Sequence, residues 1–154
     1  MRLLRKILSG LLIAFILIQF IQPVRNLSNE IPSGDIAKAI NVPDNVKEVL
    51  KTACYDCHSN NTHYPWYSRV QPFGWLLAKH IRDGKAELNF DEFGAYSLRR
   101  RISKMNGIKN SMEDGTMPLL FYTLLHSNAR LSTNERSLII DWATRTEDSL
   151  RLLN

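Results

Sequence analysis

The hydrophobic pattern divides the chain into an apolar start and a longer region with helical periodicity. Apolar residues run almost without interruption from Ile7 to Ile21 and continue to Val24. From about residue 44 onward they recur at intervals of three and four, which is the spacing of an amphipathic helix. The alternation that would indicate strands is absent from the sequence. The pattern predicts an all-α domain behind an N-terminal apolar helix.

The helix nearest the start of this domain places Val46, Val49, Leu50 and Ala53 on one face and ends directly before Cys54. A second predicted helix runs from Trp75 to about Asp83 and is closed by Gly84, and a third follows Ser97 with an apolar stripe of Leu98, Ile102, Met105, Ile108 and Met112. The segment from Leu119 to Leu125 is apolar nearly all round and is therefore expected to be buried. The last helix opens with a Ser132–Glu135 capping box and should bury Leu138, Ile139 and Trp142.

The apolar start predicts a membrane anchor. A helix from Ile7 to Val24 would be about 27 Å long, close to the thickness of a bilayer's hydrocarbon core. The segment lacks a small-x-small cleavage site, so residues 1–24 are predicted to be an uncleaved transmembrane signal-anchor. A signal peptide with an unusual cleavage site remains the alternative. Basic residues before the run favour an N-terminus in the cytoplasm and the remaining chain on the other side of the membrane.

Composition after the anchor predicts a linker and one domain. Residues 25–43 carry Asn, Ser, Pro and Gly without an apolar period and are expected to form a flexible linker, which leaves residues 44–154 as the domain. The chain has 20 basic and 15 acidic residues, for a net charge of +5. Four of the positive charges precede residue 26, so the domain itself is nearly neutral and a nucleic-acid partner is not expected.

The only two cysteines form the string Cys54-Tyr55-Asp56-Cys57-His58. Two thiols three residues apart on a helical turn can add to the two vinyl groups of one haem, and the adjacent histidine can then bind the iron. The spacing therefore predicts one covalent haem c, with His58 as the proximal ligand. A structural disulfide, a zinc site and a thioredoxin-like redox pair remain alternatives.

A distal iron ligand is predicted in the turn between the helix that follows Ser97 and the apolar segment from Leu119 to Leu125. Met117 precedes Pro118 there, and a thioether is a common sixth ligand in electron-transfer haems. Met117 is therefore the favoured distal ligand, with His80 and His126 as alternatives. Possible pocket residues follow the motif closely, because a haem needs flat apolar walls and donors for its propionates: Tyr64, Trp66, Tyr67 and Arg69.

Several blocks together resemble the bacterial haem-binding domain family, which is common in Bacteroidota. They are the motif with Ser59-Asn60, Tyr64-Pro65-Trp66-Tyr67, Leu88-Asn89-Phe90, Met117-Pro118, and Tyr122 to His126 followed by Ala129-Arg130-Leu131-Ser132. The resemblance implies a small cytochrome c-like domain, anchored or exported, with a c-type haem on Cys54, Cys57 and His58. It also favours Met117 as the distal ligand and retains His80 and His126 as pocket residues or ligands.

Three classes of function are compatible with these residues. The first is a membrane-anchored one-electron carrier between larger redox proteins, for which a closed His/Met iron is suited. The second is a haem-bearing subunit or sensor of a membrane complex. The third is a peroxidase-like enzyme, which would need an open sixth position and a distal acid/base. No pair of catalytic groups is apparent in the sequence, so the carrier is preferred.

Overall fold

Helices form nearly all of the regular structure in the computed structural model, which describes residues 1–28, 30 and 32–153. No strand occurs within those ranges. The helices are α1 (Arg2–Ile18), α2 (Ile36–Ala39), α3 (Asp44–Ala53), α4 (Tyr55–His58), α5 (Phe73–Glu87), α6 (Leu98–Glu113), α7 (Leu120–Leu125) and α8 (Thr133–Arg151), with 3₁₀ turns at Trp66–Arg69, Phe90–Ala95 and Ser127–Ala129. The predicted all-α class is confirmed.

The main core lies between α6 and α8, which pack along their lengths, and α3 contacts α8 beside them. Each helix contributes apolar side chains at three- and four-residue spacing, so burial of one face stabilises the group. The indole N–H of Trp142 on α8 also donates to the carbonyl of Asn41, at 3.1 Å. The largest fully buried apolar side chains are Ile36, Leu50, Phe90, Phe93, Met105 and Ile139.

Three of the predicted helices have the expected faces. Helix α3 buries Val46, Val49, Leu50 and Ala53. Helix α6 buries Met105, Ile108 and Met112, with Leu98 and Ile102 partly buried beside them. Helix α8 begins with the predicted capping box of Ser132 and Glu135 and buries Ile139 and Trp142, with Leu138 partly buried against the same core.

Two predicted helices differ from the structure. Helix α5 does not end at Gly84 but continues to Glu87, and Gly84 lies inside the helix where it makes a close contact with α4. A Cβ at that position would lie 2.9 Å from the carbonyl oxygen of Cys57. The prediction that Leu119 to Leu125 is buried was wrong. Helix α7 buries Tyr122 and Thr123 and leaves four large apolar side chains exposed: Leu120, Phe121, Leu124 and Leu125.

The predicted transmembrane helix is not supported. Within the described part of the chain, no helix is long and apolar enough to cross a membrane. Helix α1 ends at Ile18, and the backbone is extended or turned up to Val24. The helix stops early because Gln19 and Gln22 bond to the domain: the side-chain amides donate to the carbonyls of Gln71 and Arg69, at 3.2 and 3.1 Å.

The segment that was expected to be a flexible linker, residues 25–43, packs on the domain near both of its ends. The Asn26 amide donates to the carbonyl of Ser59 and to the hydroxyl of Thr62, each at 2.9 Å. Further along, Ile36 is fully buried in the main core at the start of α2. The buried isoleucine and the two side-chain hydrogen bonds hold this segment against the domain, although its polar composition predicted a flexible linker.

Candidate functional site

The junction of α3 and α4 presents the Cys-x-x-Cys-His string. Cys54 lies between the two helices, as the C-cap of α3 and the N-cap of α4, with backbone angles outside the helical region (φ −125°, ψ −39°). The backbone N–H groups of Cys57 and His58 both donate to its carbonyl, at 3.2 and 3.0 Å. Because the buried face of α3 fixes that helix in the core, the short turn of α4 carries the motif at a defined place.

The His58 ring is oriented by the backbone that follows α5. Its Nδ1 lies 2.9 Å from the carbonyl oxygen of Leu88. A carbonyl can only accept, so Nδ1 carries the proton and Nε2 keeps its lone pair. Burial lowers the pKa of His58, and the carbonyls of Leu88 and Gly84 oppose that effect only in part. A neutral imidazole held by its other nitrogen is the usual arrangement of a metal-binding histidine.

An apolar cleft brings three of the predicted site residues together. Cys54, His58 and Met117 all line it, and its walls come from α3, α6, α8 and the segment after α5. The cleft has a cavity volume of about 120 Å³ and opens to solvent at its mouth. The remaining walls are formed by Leu50, Glu87, Leu88, Phe90, Lys104, Gly107, Ile108, Ser111, Met112 and Ile139.

Met117 reaches the cleft from the loop that leaves α6. Gly115, with φ +66°, ends that helix in a left-handed turn, a conformation that favours glycine. The Met117 side chain is partly buried against the main core. The guanidinium of Arg136 donates to the carbonyl of Met112 at 2.8 Å and lies 3.5 Å from that of Met117, so α8 holds this loop in place.

Cys57 lies on a different side of α4. It packs with Tyr64 against a small cluster made by Tyr67, Leu77 and Ile81, and it does not line the cleft. Cys54 contacts the main core and also a third cluster, which contains Tyr122 and Ala129. Helix α4 therefore lies where three apolar clusters meet, and its two thiols belong to different ones.

Both cysteines are free thiols in the structure. Burial raises the pKa of Cys54 to about 12 and that of Cys57 to about 11, with smaller contributions from the neighbouring Cys57 and Asp56 respectively. Thioredoxin-like pairs need the opposite shift, because the thiolate is their nucleophile. Among the described residues, no group of three or more His, Cys, Asp or Glu side chains could hold a metal ion, so the zinc alternative has no ligand set there.

The alternative distal histidines lie outside the cleft. His80 lines a small separate cavity with Tyr67, Phe73 and Tyr122. His126 stacks on the Tyr122 ring, with centroids 4.1 Å apart, and its Nδ1 lies 3.1 Å from the Tyr122 carbonyl. Met117 is thus the only one of the three candidate distal ligands that shares the cleft with His58.

The four possible pocket residues have different surroundings. Tyr67 is buried beside Cys57. The hydroxyl of Tyr64 accepts from the backbone N–H of Asn26 at 2.6 Å, and Arg25 lies over its ring. Trp66 is 82% exposed, and Arg69 is exposed with its carbonyl bonded to Gln22. None of the four lines the cleft.

Sequence reasoning missed the residues that support the motif. Phe90 lies 6.0 Å from the His58 ring and stacks on Tyr55 at 5.0 Å, so it forms a wall beside both. On the other side, the Tyr122 hydroxyl donates to Asp56 Oδ2 at 2.7 Å, and Asp56 Oδ1 accepts from the backbone N–H of His63 at 2.9 Å. The carboxylate between the two cysteines was a signal for such a role, but its partners are distant in sequence.

Comparison with known families gives one result. The model of a family described as "Haem-binding domain" matches residues 13–145, which is most of the chain. No curated protein and no solved structure matches.

The residues of the site fit a haem group. Two free thiols lie one helical turn apart, the neighbouring histidine has its Nδ1 bonded to a carbonyl, and a thioether lines the same apolar cleft. Imidazole and thioether are both established ligands of haem iron, and an apolar wall suits a porphyrin. Cys57 is the exception among these donors, because it lies outside the cleft, so the fit rests on Cys54, His58 and Met117.

Proposed function

We propose that this chain, which belongs to the haem-binding domain family, carries one haem attached to Cys54 and Cys57 and serves as a one-electron carrier. The observation that supports this most strongly is the shared cleft of Cys54, His58 and Met117. One attachment site and two iron ligands of different type lie within it. Bound haem supplies the one-electron couple, and the protein's residues hold and tune it.

The two proposed iron ligands are held in different ways. His58 would bind the iron through Nε2, because its Nδ1 donates to the Leu88 carbonyl. That bond fixes the ring plane and raises the basicity of the ligand nitrogen. Met117 is presented by a loop whose carbonyl faces Arg136 on α8. A thioether ligand raises the reduction potential, since it favours the ferrous state.

The position of the remaining histidines favours a carrier over a peroxidase. A peroxidase needs an open position on the iron with an acid/base near it. His80 and His126 are the histidines that could act in this way, and both lie outside the cleft. Met117 lies in the cleft instead, where it would close the sixth position.

Helix α1 supports attachment to a membrane. Its large apolar side chains are exposed, from Leu3 to Leu17, and Arg2, Arg5 and Lys6 lie in its first two turns. We propose that α1 holds the protein on the inner membrane of a bacterium, with the haem domain in the periplasm. Redox proteins of that compartment would then be its donor and acceptor.

Covalent attachment is tested by denaturing electrophoresis of exported, mature protein. Haem should remain with the wild-type polypeptide, and the Cys54→Ser/Cys57→Ser double variant should lose it. Each single variant should keep one thioether and therefore part of the retained haem. Stable haem on the double variant would refute the attachment.

The carrier role is tested with carbon monoxide and with redox partners. Reduced wild-type protein should bind carbon monoxide poorly and should exchange electrons rapidly with a soluble acceptor. Fast carbon monoxide binding together with peroxide turnover would support an enzyme instead. Slow exchange with every acceptor, together with stable co-purification with a large membrane complex, would support the subunit.

Membrane attachment through α1 is tested by extraction of the membrane fraction at high salt and at alkaline pH, followed by measurement of the intact mass of the protein. The protein should stay in the pellet and should begin at or near Met1. A mass that lacks everything before Asn26 would contradict attachment through α1.

A further inference from the structure

The end of α1 is fixed to the haem domain. We call residues 19–26 the strap. The backbone N–H of Gln71 donates to the side-chain oxygen of Gln19 at 2.8 Å, and the Gln71 amide donates to Gln22 at 3.1 Å. The indole N–H of Trp75 donates to the carbonyl of Ile21 at 2.7 Å. Gln71 is fully buried by this network, so the strap sets the direction of α1 relative to α5.

An apolar surface surrounds this junction. The strap and the first turns of α5 carry large apolar side chains that point into solvent, although α5 buries Leu77 and Ile81 on its other face. Val24 is 96% exposed and Phe20 is 82% exposed. We define the docking face by six residues: Phe20, Ile21, Val24, Phe73, Trp75 and Leu76.

Basic side chains border the docking face. Arg25 and Arg69 line one groove together with Val24, and Arg25, Arg82 and Lys85 line a second groove with it. Asp83 lies 3.6 Å from Arg82 but is paired more closely with Lys79, at 2.5 Å. The residues that line the two grooves include these four cations and no carboxylate, which gives the border a positive charge although the domain as a whole is nearly neutral.

From this combination we infer that the docking face rests on an anionic phospholipid bilayer. Apolar and tryptophan side chains next to a row of cations are the composition of a surface that lies in a membrane interface. The inference rests on the proposed attachment through α1, because the strap continues directly from that helix. The strap would then hold the haem domain in one orientation on the membrane, with α5 towards the lipid.

Lipid photolabelling tests this orientation. Full-length haem-loaded protein is reconstituted in vesicles of phosphatidylglycerol and phosphatidylcholine that contain a diazirine-bearing phospholipid. Labelled positions are then found by mass spectrometry. Labels should appear on α1, on residues 20–24 and on residues 73–76. Leu152 and Leu153 are equally apolar and exposed at the end of α8, and they should remain unlabelled.

A charge reversal provides a second measurement. Arg69→Glu with Arg82→Glu should reduce labelling of residues 73–76 by roughly tenfold, because each cation near an anionic surface contributes to binding. Arg145→Glu, at an exposed position on α8, should leave it unchanged. Replacing phosphatidylglycerol by phosphatidylcholine should have the same direction of effect as the double reversal.

Labels confined to α1 would overturn the inference that the docking face contacts lipid and would leave membrane attachment through α1 intact. Labels absent from α1 as well would overturn membrane attachment through α1. Crosslinks between two copies through residues 73–76, with no lipid label there, would overturn the lipid in favour of self-association. The haem spectrum of the same samples reports the carrier proposal separately, since none of these substitutions touches the cleft.

Discussion

The two sides of α4 differ in how they are built. On the Cys54 side, the cleft is walled by helices of the main core, and its buried side chains include Met112 and Ile139. On the Cys57 side, a cluster of three buried residues is supported by a 3₁₀ turn and by hydrogen bonds from loops. Large apolar side chains of α5 and α7 are exposed on those helices.

Under the proposed function, this difference gives the two sides separate tasks. A rigid core keeps iron ligands at fixed distances, and ligand identity and burial are the means by which a protein sets a haem's potential. A less buried side gives a partner protein access to the cofactor. Substitution of a proposed iron ligand in the cleft should therefore change the spectrum and potential, whereas substitutions on the Cys57 side, other than at Cys57 itself, should change stability while the spectrum is kept.

The largest effect is expected from His58→Ala. The variant loses the imidazole that is proposed to bind the iron, and the Leu88 carbonyl loses the N–H that donates to it. Electron exchange should fall by more than the roughly 10- to 100-fold that removal of an outer-shell partner costs. The visible spectrum of purified protein in both oxidation states measures the change.

His63→Ala is the matched control for that variant. His63 is exposed, and its bond to Asp56 comes from the backbone N–H, which alanine retains. Its spectrum and exchange rate should equal those of the wild type. An equal loss of electron exchange in both variants would contradict the proposal that His58 binds the iron.

Met117→Leu should give the next largest effect. Leucine has a similar volume, so the change in stability should stay below about 1.5 kcal/mol. The thioether is lost, however, and the reduction potential should fall by a measurable part of the roughly 0.8 V over which axial ligands move haem potentials. Redox titration of the purified protein measures this.

Met112→Leu separates ligation from packing, because Met112 lines the same cleft and is almost fully buried. It should change stability by a similar amount and leave the potential unchanged. If Met117→Leu also left the potential unchanged, the sixth ligand would be sought at His80 and His126 by the same kind of substitution.

The features that the sequence predicted well are local. The stripes of α3 and α6 and the capping box of α8 depend on residues three or four apart, so the pattern identifies them directly. The order of the Cys-x-x-Cys-His string is equally local. The shared family was also recognisable, because several short blocks occur together.

The features that it missed depend on distant partners. Burial of Ile36 comes from the core that later helices build, and α1 stops early because of bonds to Gln71 and Arg69. The exposed face of α7 shows the same limit, since an apolar helix looks buried until its neighbours are known. Likewise, the Leu88 carbonyl that orients His58 lies 30 residues away.

Gly84→Ala tests the contact between α5 and α4. The new Cβ would lie 2.9 Å from the Cys57 carbonyl oxygen and 3.3 Å from its Cβ, so α4 must shift. Overpacking of this kind costs about 1 to 3 kcal/mol, partly offset by roughly 1 kcal/mol of gained helix propensity. The midpoint of thermal unfolding should fall.

Gly107→Ala is its control inside α6. A Cβ at Gly107 meets no protein atom within 4 Å, but Gly107 lines the cleft, so the comparison is made on haem-free protein, where only the propensity gain of roughly 1 kcal/mol should remain. The two alanines should therefore shift the unfolding midpoint in opposite directions. A shift of equal sign in both would show that α5 and α4 are not in tight contact.

The smallest effect is expected from Tyr122→Phe, which removes one hydrogen bond beside Cys57. The Tyr122 hydroxyl donates to Asp56 Oδ2 at 2.7 Å, and burial together with that carboxylate raises the pKa of the phenol. The phenol therefore stays protonated at neutral pH and remains a donor. Hydrogen bonds to charged groups contribute about 1.5 to 3 kcal/mol, and partial exposure of the carboxylate should place this bond near the lower value.

Tyr55→Phe provides the comparison, because its ring stacks on Phe90 and its hydroxyl has no hydrogen-bond partner among residues 1–28, 30 and 32–153. Denaturant unfolding should show a loss for Tyr122→Phe and almost none for Tyr55→Phe. Both variants should keep the wild-type potential, since neither hydroxyl lines the cleft. A changed potential in Tyr122→Phe would mean that the Cys57 side also tunes the iron, and the division of tasks between the two sides of α4 would fail.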